Sequence, residues 1–245
     1  AVAGVQTGPT AGNGAGAIHL IWSMYTNGAY GDYDVFTTNI SPSNVAGPSR
    51  TLSVGAPQQL RPEVATSGDG SMLVYRSSAN LSSRVLAQPL DAAGNPLTAE
   101  PVQLDTGPSL NGPGSPNVAW NGSLYLVSWG ASNGIVAQRL SATGTKLDAV
   151  PFMVMSGCFG PTDVAVLGSD FLVTGRKVGS SIQYIGPVGA RVSGAGAVLD
   201  AAPLFLGISY VGSAPAVVAL GSRWLVAWHR NTTHNSSYSF SMGAF

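Results

Sequence analysis

The sequence predicts an all-β fold, a β-propeller of five four-stranded antiparallel blades. Three observations support this prediction. The 245 residues include 32 glycines and 16 prolines, a composition that favours many turns over long helices. A pair of short apolar segments recurs along the whole chain at intervals of 53, 54, 46 and 53 residues, which gives five units. A period of this length suits one four-stranded sheet per unit.

Each unit opens with a short motif and then reaches an anchor residue. The opening motifs begin at Pro9, Pro62, Pro116, Thr162 and Pro215. The anchors are Trp22, Tyr75, Trp129, Gly175 and Trp228, and each lies 13 positions after the start of its motif. We interpret the two segments as strands a and b of a hairpin. The turn between them contains Gly68, Gly122, Gly168 or Gly221, where we expect a positive φ.

Two further strands complete the predicted blade. Strand c is an apolar segment such as 135–140, and strand d is a short segment with a leading proline such as 151–154. Turns at 91–94, 141–144 and 193–196 join these strands. The predicted blades span 9–58, 59–112, 113–158, 159–212, and 213–245 together with 1–8. The fifth unit ends before a strand d, so we expect the N-terminal strand to complete it and close the ring, which removes open sheet edges.

Charge and cysteine content exclude several classes of protein. The 11 basic and 11 acidic residues balance, and no Lys/Arg cluster occurs, so nucleic acid is not an expected partner. Cys158 is the single cysteine, which excludes a disulfide framework and a thiolate zinc site. No stretch reaches about 18 consecutive apolar residues, so no transmembrane segment is expected. We expect neither a metal nor a cofactor. A start at Ala1 and a surface rich in small polar residues favour a secreted or cell-surface protein.

The best-preserved unit resembles a repeat of secreted bacterial proteins, notably of myxobacteria. Residues 116–129 and 135–148 follow the pattern P-x-V-A-x-x-G-x-x-Y-L-V-V-W and then I-x-A-Q-R-L-x-x-x-G-x-x-L-D. The resemblance implies β-propeller blades and no single activity. The five-bladed architecture is similar to that of lectins of the tachylectin-2 type and to that of furanosidase-like glycosidases.

Two rings of side chains are expected on the propeller face that carries the d-to-a and b-to-c loops. The first ring is Thr10, Glu63, Asn117, Asp163 and Ala216, and the second is Ser23, Arg76, Gly130, Arg176 and His229. The 13-residue spacing predicts ion pairs between Glu63 and Arg76 and between Asp163 and Arg176. The alternative interpretation is catalytic, because glycosidases use two carboxyl groups. Against it, neighbouring arginines would depress the pKa of both acids.

The aromatic anchors are expected to pack in the core, because they alternate with apolar positions along their strands. Ligand-binding candidates are instead residues near the loops whose aromatic, amide and charged groups suit sugar hydroxyls. They are Tyr25, Asn27, Tyr30, Asp32, Arg76, Asn117, Arg176, His229, Arg230 and His234.

These features lead to one functional prediction and two alternatives. The prediction is a secreted, multivalent, non-catalytic lectin-like propeller whose partner is a glycan or a cell-surface polysaccharide. The first alternative is a glycoside hydrolase that uses Glu63 and Asp163. The second is a structural or adhesive propeller that binds protein, which an apolar surface patch would indicate.

Overall fold

The computed structural model describes residues 6–14, 17–26, 32–53, 58–79, 82–106, 114–178, 185–207, 215–231 and 238–244. Within these ranges the chain forms 19 β-strands in five antiparallel sheets. The all-β prediction and the division into five units are therefore confirmed. None of the described segments forms a helix long and apolar enough to span a membrane.

Each sheet is built from strands that follow one another in the chain. The first sheet contains β1 (Gln6–Gly14), β2 (Ala17–Thr26), β3 (Asp32–Ile40) and β4 (Arg50–Ser53). The second contains β5 (Gln58–Ser67), β6 (Gly70–Ala79), β7 (Ser82–Asp91) and β8 (Val102–Gln103). The third contains β9 (Asn117–Trp120), β10 (Tyr125–Ala131), β11 (Gly134–Leu140) and β12 (Phe152–Ser156). The fourth contains β13 (Cys158–Leu167), β14 (Asp170–Val178), β15 (Ile185–Val192) and β16 (Leu204–Phe205). The fifth contains β17 (Ala216–Leu220), β18 (Arg223–Asn231) and β19 (Tyr238–Ala244).

The first strands of successive sheets lie side by side. β1 contacts β5, β5 contacts β9, β9 contacts β13, and β13 contacts β17. The start of every unit therefore lies on the inner side of the array, as the blade interpretation requires.

A recurring turn joins the third and fourth strands of a sheet. Gly94, Gly144 and Gly196 have φ values of 79°, 85° and 87°, and each donates its N–H to the carbonyl three residues earlier at 2.8–3.0 Å. Asn44 occupies this place in the first sheet with a φ of 60°. These left-handed positions favour glycine or asparagine, so the predicted turns at 91–94, 141–144 and 193–196 are confirmed.

The hairpins between first and second strands match the prediction at three positions. Gly122, Gly168 and Gly221 have φ values of 96°, 64° and 61°. Gly68 does not adopt a positive φ, so the prediction is wrong there. The turn between β5 and β6 needs no left-handed residue, as in a type I turn.

An ion pair joins the arginine of the Q-R-L segment of the repeat to the aspartate of its L-D segment. The guanidinium of Arg139 contacts the carboxylate of Asp148 at 2.6 Å, and Arg191 contacts Asp200 at the same distance. Arg139 also donates a hydrogen bond to the carbonyl of Gly194, in the turn after β15 of the fourth unit, at 3.0 Å. The repeated arginine thus binds the outer segment of its own unit. In the third unit it also binds the neighbouring blade.

The core lies between neighbouring sheets. Ile21 of the first sheet packs with Leu73 and Tyr75 of the second, and equivalent clusters join the second to the third, the third to the fourth and the fourth to the fifth sheet. The aromatic anchors Trp22, Tyr75, Trp129 and Trp228 are between 2% and 8% exposed. The prediction that the anchors pack in the core is confirmed.

Gly175 replaces the aromatic anchor in the fourth sheet because a neighbouring side chain fills that space. A Cβ on Gly175 would lie 2.1 Å from Cδ1 of Ile135, which belongs to the third sheet, and 3.0 Å from the carbonyl oxygen of Phe159. Ile135 is fully buried, so it cannot move into solvent. The lost aromatic ring is thus compensated by a side chain of the preceding blade.

Gly175→Ala is expected to lower the free energy of unfolding by about 1–3 kcal/mol through overpacking. Ile135→Val removes the clashing methyl group, so the two substitutions together should cost less than the sum of their separate effects. Urea unfolding of the two single variants and the double variant measures this difference. Gly68→Ala is the matched control, because its Cβ would meet nothing within 4 Å. Strict additivity would contradict the packing argument.

The fifth sheet differs from the others in the described residues. It has three strands, and Val218, Leu220 and Met242 on one of its faces are 55%, 65% and 71% exposed. The predicted fourth strand from residues 1–8 is not formed by residues 6–8, because Gln6 and Thr7 pair with Met24 and Ser23 in the first sheet. Residues 1–5 lie outside the described residues, so their part in closing the ring stays a prediction.

Candidate functional site

Bulges interrupt the inner strands at the opening motif. Arg61 and Pro62 lie between the pairs Leu60–Arg76 and Glu63–Val74, so two residues of β5 face one residue of β6. In β13 the three residues 160–162 face Gly175 alone. Extra residues in one strand bend it and redirect its side chains. The inner strands therefore continue past the motif and form the wall of a cavity.

This cavity, which we call the arginine cavity, has a volume of about 500 Å³. Its described lining residues are Arg61, Arg76, Gly114, Ser115, Gly130, Ala131, Ser132, Phe159, Gly160, Pro161 and Arg176. They come from the second, third and fourth units. No acidic residue is among these described lining residues.

Glycines allow the backbones to approach closely at one side of the arginine cavity. The N–H of Gly114 donates a hydrogen bond to the carbonyl of Gly130 at 2.7 Å. A Cβ on Gly130 would lie 3.0 Å from the backbone nitrogen of Gly160. Gly130 occupies the place that Arg76 and Arg176 take in their own units, so the absence of a side chain there leaves room between the arginines.

The arginines of the cavity are unusual in environment and conformation. The Nε atoms of Arg76 and Arg176 are buried and have no hydrogen-bond partner among the described residues. Burial, followed by the nearby charge of Arg61, lowers the pKa of Arg76. Arg61 has a φ of 56°, in the left-handed region that costs an ordinary residue about 1–2 kcal/mol. Backbone strain of this kind tends to occur at functional sites.

The predicted ion pair between Asp163 and Arg176 is wrong, because no arginine is among the groups that act on Asp163. The ion pairs within the described part of the chain are Arg139–Asp148 and Arg191–Asp200. Strand register places Glu63 opposite Val74 and Asp163 opposite Thr174. The ion pair predicted between Glu63 and Arg76 stays a prediction.

Asp163 is instead held by uncharged donors from three blades. Its Oδ2 accepts a hydrogen bond from the N–H of Val217 in the fifth sheet at 2.7 Å, and its Oδ1 accepts one from the N–H of Val164 at 2.8 Å. The side chain of Asn117 in the third sheet also hydrogen-bonds to this carboxyl group. Burial outweighs these hydrogen bonds and raises the pKa of Asp163 above its usual 3.8. Asp163 is thus a fixed, desolvated carboxyl group.

The raised pKa of Asp163 has a consequence for stability. The folded chain binds the proton of Asp163 more tightly than the unfolded chain, so this contribution to stability is complete below pH 3.8 and is lost as pH rises through the folded-state pKa. Asp163→Asn stays neutral and should not show this loss. Urea unfolding of both proteins between about pH 3 and about pH 8 measures the difference. An equal pH dependence of the two proteins would contradict the raised pKa.

The structure brings only some of the predicted ligand-binding residues together. Arg76 and Arg176 line the arginine cavity, and Asn117 contacts Asp163. Tyr25 is half-buried and packs edge-on against Tyr33, with ring centroids 5.4 Å apart. Asn27, Tyr30 and His234, and the side chains of Asp32, His229 and Arg230, lie outside the described residues. No prediction that depends on these six positions is tested.

Sequence reasoning missed Arg61 and Phe159 as cavity residues. Both lie at the bulges that precede the predicted ring positions. The available signal was a proline inside an inner strand, Pro62 or Pro161, because such a proline often marks a bulge.

Comparison with solved structures supports the propeller interpretation. The GH43_1 enzyme from Xanthomonas citri complexed with xylotriose matches with a TM-score of 0.57 and 11% identity, over 100% of this chain and 88% of that chain. A GH43 β-xylosidase/α-arabinofuranosidase from a compost microbial metagenome matches with a TM-score of 0.52 and 13% identity, over 98% and 90%. The GH43 endo-arabinanase from Bacillus licheniformis matches with a TM-score of 0.50 and 11% identity, over 96% and 92%. No family model and no curated protein matches the sequence.

At these identities the comparison establishes the class of fold, an all-β architecture of five antiparallel sheets like that of the propeller glycoside hydrolases. It gives no link to the myxobacterial repeat proteins or to tachylectin-2. The prediction of a non-catalytic, lectin-like protein is wrong, because many of the matched structures are xylosidases, arabinofuranosidases and arabinanases. The expectation that the chain is not an enzyme is corrected on the same finding.

Proposed function

We propose that the chain is a glycoside hydrolase in which Asp163 and Glu63 are the two carboxyl groups. The observation that carries this proposal is the environment of Asp163, a desolvated carboxyl group with a raised pKa on an inner strand of a propeller. Glu63 holds the corresponding position two blades away. Each acid lies two residues beyond a bulge residue that lines the arginine cavity, Pro161 or Arg61.

The chemistry requires one protonated and one ionised carboxyl group on either side of a glycosidic bond. We assign Asp163 as the general acid, because burial favours its protonated form. Glu63 is then the ionised partner, which activates water or attacks the sugar directly. A paired arginine would depress the pKa of the general acid, and Asp163 is held by uncharged donors instead.

Hydrolysis of a panel of glycosides tests the proposal. The solved neighbours are named as xylosidases, arabinofuranosidases and arabinanases, so the panel begins with xylo- and arabino-oligosaccharides and extends to acidic polysaccharides. We expect release of reducing sugar from at least one substrate by the purified chain. The absence of turnover across the panel would contradict a glycoside hydrolase.

We also propose that the first and fifth sheets close the ring. Val218 and Leu220 of the fifth sheet, together with Ile18 of the first sheet, are exposed apolar side chains near the two ends of the array. Closure would remove their apolar surface from water. Secretion or display at the cell surface belongs to the same proposal, since polysaccharide substrates are extracellular.

Leu220→Asp tests closure. In a closed ring the aspartate would be buried without a partner, so we expect a loss of about 3 kcal/mol or more in the free energy of unfolding. Val45→Asp is the matched control, because Val45 is 63% exposed on an outer turn. Urea unfolding of both variants gives the comparison. A change within about 0.5 kcal/mol for both would contradict closure.

A further inference from the structure

The arginine cavity contains more positive charge than the proposed hydrolysis uses. Three of the chain's 11 basic residues, Arg61, Arg76 and Arg176, line it, although the whole chain has zero net charge. No described lining residue is acidic, and neither described ion pair involves these arginines. Like charges gathered in one cavity repel one another, as the effect of Arg61 on Arg76 illustrates. An anion bound there would pair with the arginines and offset this repulsion.

The buried donors of the cavity also lack partners. The Nε atoms of Arg76 and Arg176 are inaccessible and make no hydrogen bond within the described residues. A buried donor without a partner is costly, and most such groups are satisfied in folded proteins. A guanidinium is a planar group whose parallel N–H donors match the two oxygens of a carboxylate. The shape of the orphaned donors therefore suits an oxyanion such as a carboxylate.

The rest of the lining suits a sugar ring. Phe159 is 40% exposed and presents an aromatic side chain at the wall of the cavity. Gly114, Gly130 and Gly160 keep the space between the arginines open. A volume of about 500 Å³ falls in the usual range for small-molecule sites. Ring stacking and a charge-paired carboxylate would together hold one residue of an acidic sugar.

We propose that the arginine cavity binds the carboxylate of a uronic acid residue in the glycan substrate. The inference rests on the proposed function, since it names the substrate class of the same face of the propeller. Arg76 and Arg176 contact the carboxylate, Arg61 contributes at the rim, and Phe159 supports the sugar ring. The cavity thereby selects acidic over neutral polysaccharides.

Calorimetric titration with trigalacturonic acid and with its methyl ester tests this inference. The two ligands have the same sugar skeleton and differ in charge, so the ester is the matched neutral control. We expect the acid to bind at least tenfold more tightly than the ester, since hydrogen bonds to charged groups are the stronger ones. Equal binding of the two ligands, or binding of neither, would overturn the inference. Inorganic sulfate binding as tightly as the trisaccharide would overturn the sugar part of it.

Variants then locate the site. Arg76→Gln and Arg176→Gln should each weaken binding of trigalacturonic acid roughly tenfold to a hundredfold and leave binding of the ester unchanged. Arg223→Gln removes one exposed cation elsewhere and should have no effect. Arg61→Gly is a variant expected to fold normally, because glycine accepts the φ of 56° without strain. Unchanged affinity in Arg61→Gly and in both glutamine variants would overturn the assignment.

The failure of this inference is distinguishable from failure of the proposed function. Asp163→Asn should lower turnover of a natural glycan by about a hundredfold or more and keep acid-selective binding, because Asp163 does not line the cavity. Acid-selective binding without any hydrolysis would contradict the hydrolase proposal and support the cavity assignment. Hydrolysis of neutral glycans with no preference for acidic ones would support the hydrolase proposal and contradict the cavity assignment.

Discussion

Glu63→Gln and Asp163→Asn are each expected to lower kcat on a natural glycan by about a hundredfold to ten-thousandfold, the contribution typical of a general acid or base. Both substitutions keep side-chain size and remove only the ability to exchange charge or a proton. Glu100→Gln and Asp69→Asn are the matched controls, since both acids are exposed, Asp69 in the turn between β5 and β6 and Glu100 before β8. Reducing-sugar release by the four variants provides the comparison.

The leaving group separates the roles of the two acids. A general acid matters most when the leaving alcohol is a poor one, so Asp163→Asn should retain much more activity on an aryl glycoside with an acidic phenol than on an oligosaccharide. Glu63→Gln should lose activity on both. A uniform loss in Asp163→Asn across leaving groups would contradict its assignment as the acid. Full activity in either variant would remove that residue from the mechanism.

Trp129→Ala is expected to lower the free energy of unfolding by about 3–5 kcal/mol, as large aromatic truncations in cores do. Trp129 is 2% exposed and packs with Val74 of the second sheet and Tyr125 of its own sheet. Urea or thermal unfolding measures the loss. Phe205→Ala is the matched control, because Phe205 is 62% exposed and should change stability by less than about 1 kcal/mol.

This variant also decides between core and sugar-binding roles for the anchors. If Trp129 stabilises the interface between blades, Trp129→Phe should recover a large part of the lost stability. A variant with unchanged stability and lost glycan affinity would contradict the core assignment. The same logic applies to Tyr75, which is equally buried.

The repeat was predictable because its signals are local. The turn glycines at 94, 144 and 196 and the apolar alternation around Trp129 fix strands and turns within each unit. Five similar units with a short period then determine the blade count. The arginines and acids of the inner ring could also be identified, since they occupy the same place in successive units.

The pairing of these ring residues was not predictable. A spacing of 13 residues predicted an ion pair between Asp163 and Arg176, yet Asp163 lies opposite Thr174 and no arginine acts on its carboxyl group. The carboxyl group of Asp163 is bound by the backbone of Val217, a contact between blades that no local pattern specifies. Register and contacts between blades depend on tertiary packing, so the site emerged only with the fold.

Proton NMR of the chain mixed with an oligosaccharide panel that includes xylotriose and trigalacturonic acid tests the glycoside hydrolase proposal most directly. The anomeric region reports each bond cleaved and each new reducing end. We predict new reducing-end signals with the unaltered chain and none with the double variant Glu63→Gln/Asp163→Asn. No new signal with the unaltered chain, or equal signals with the double variant, would contradict the proposal that this propeller hydrolyses glycosidic bonds with these two acids.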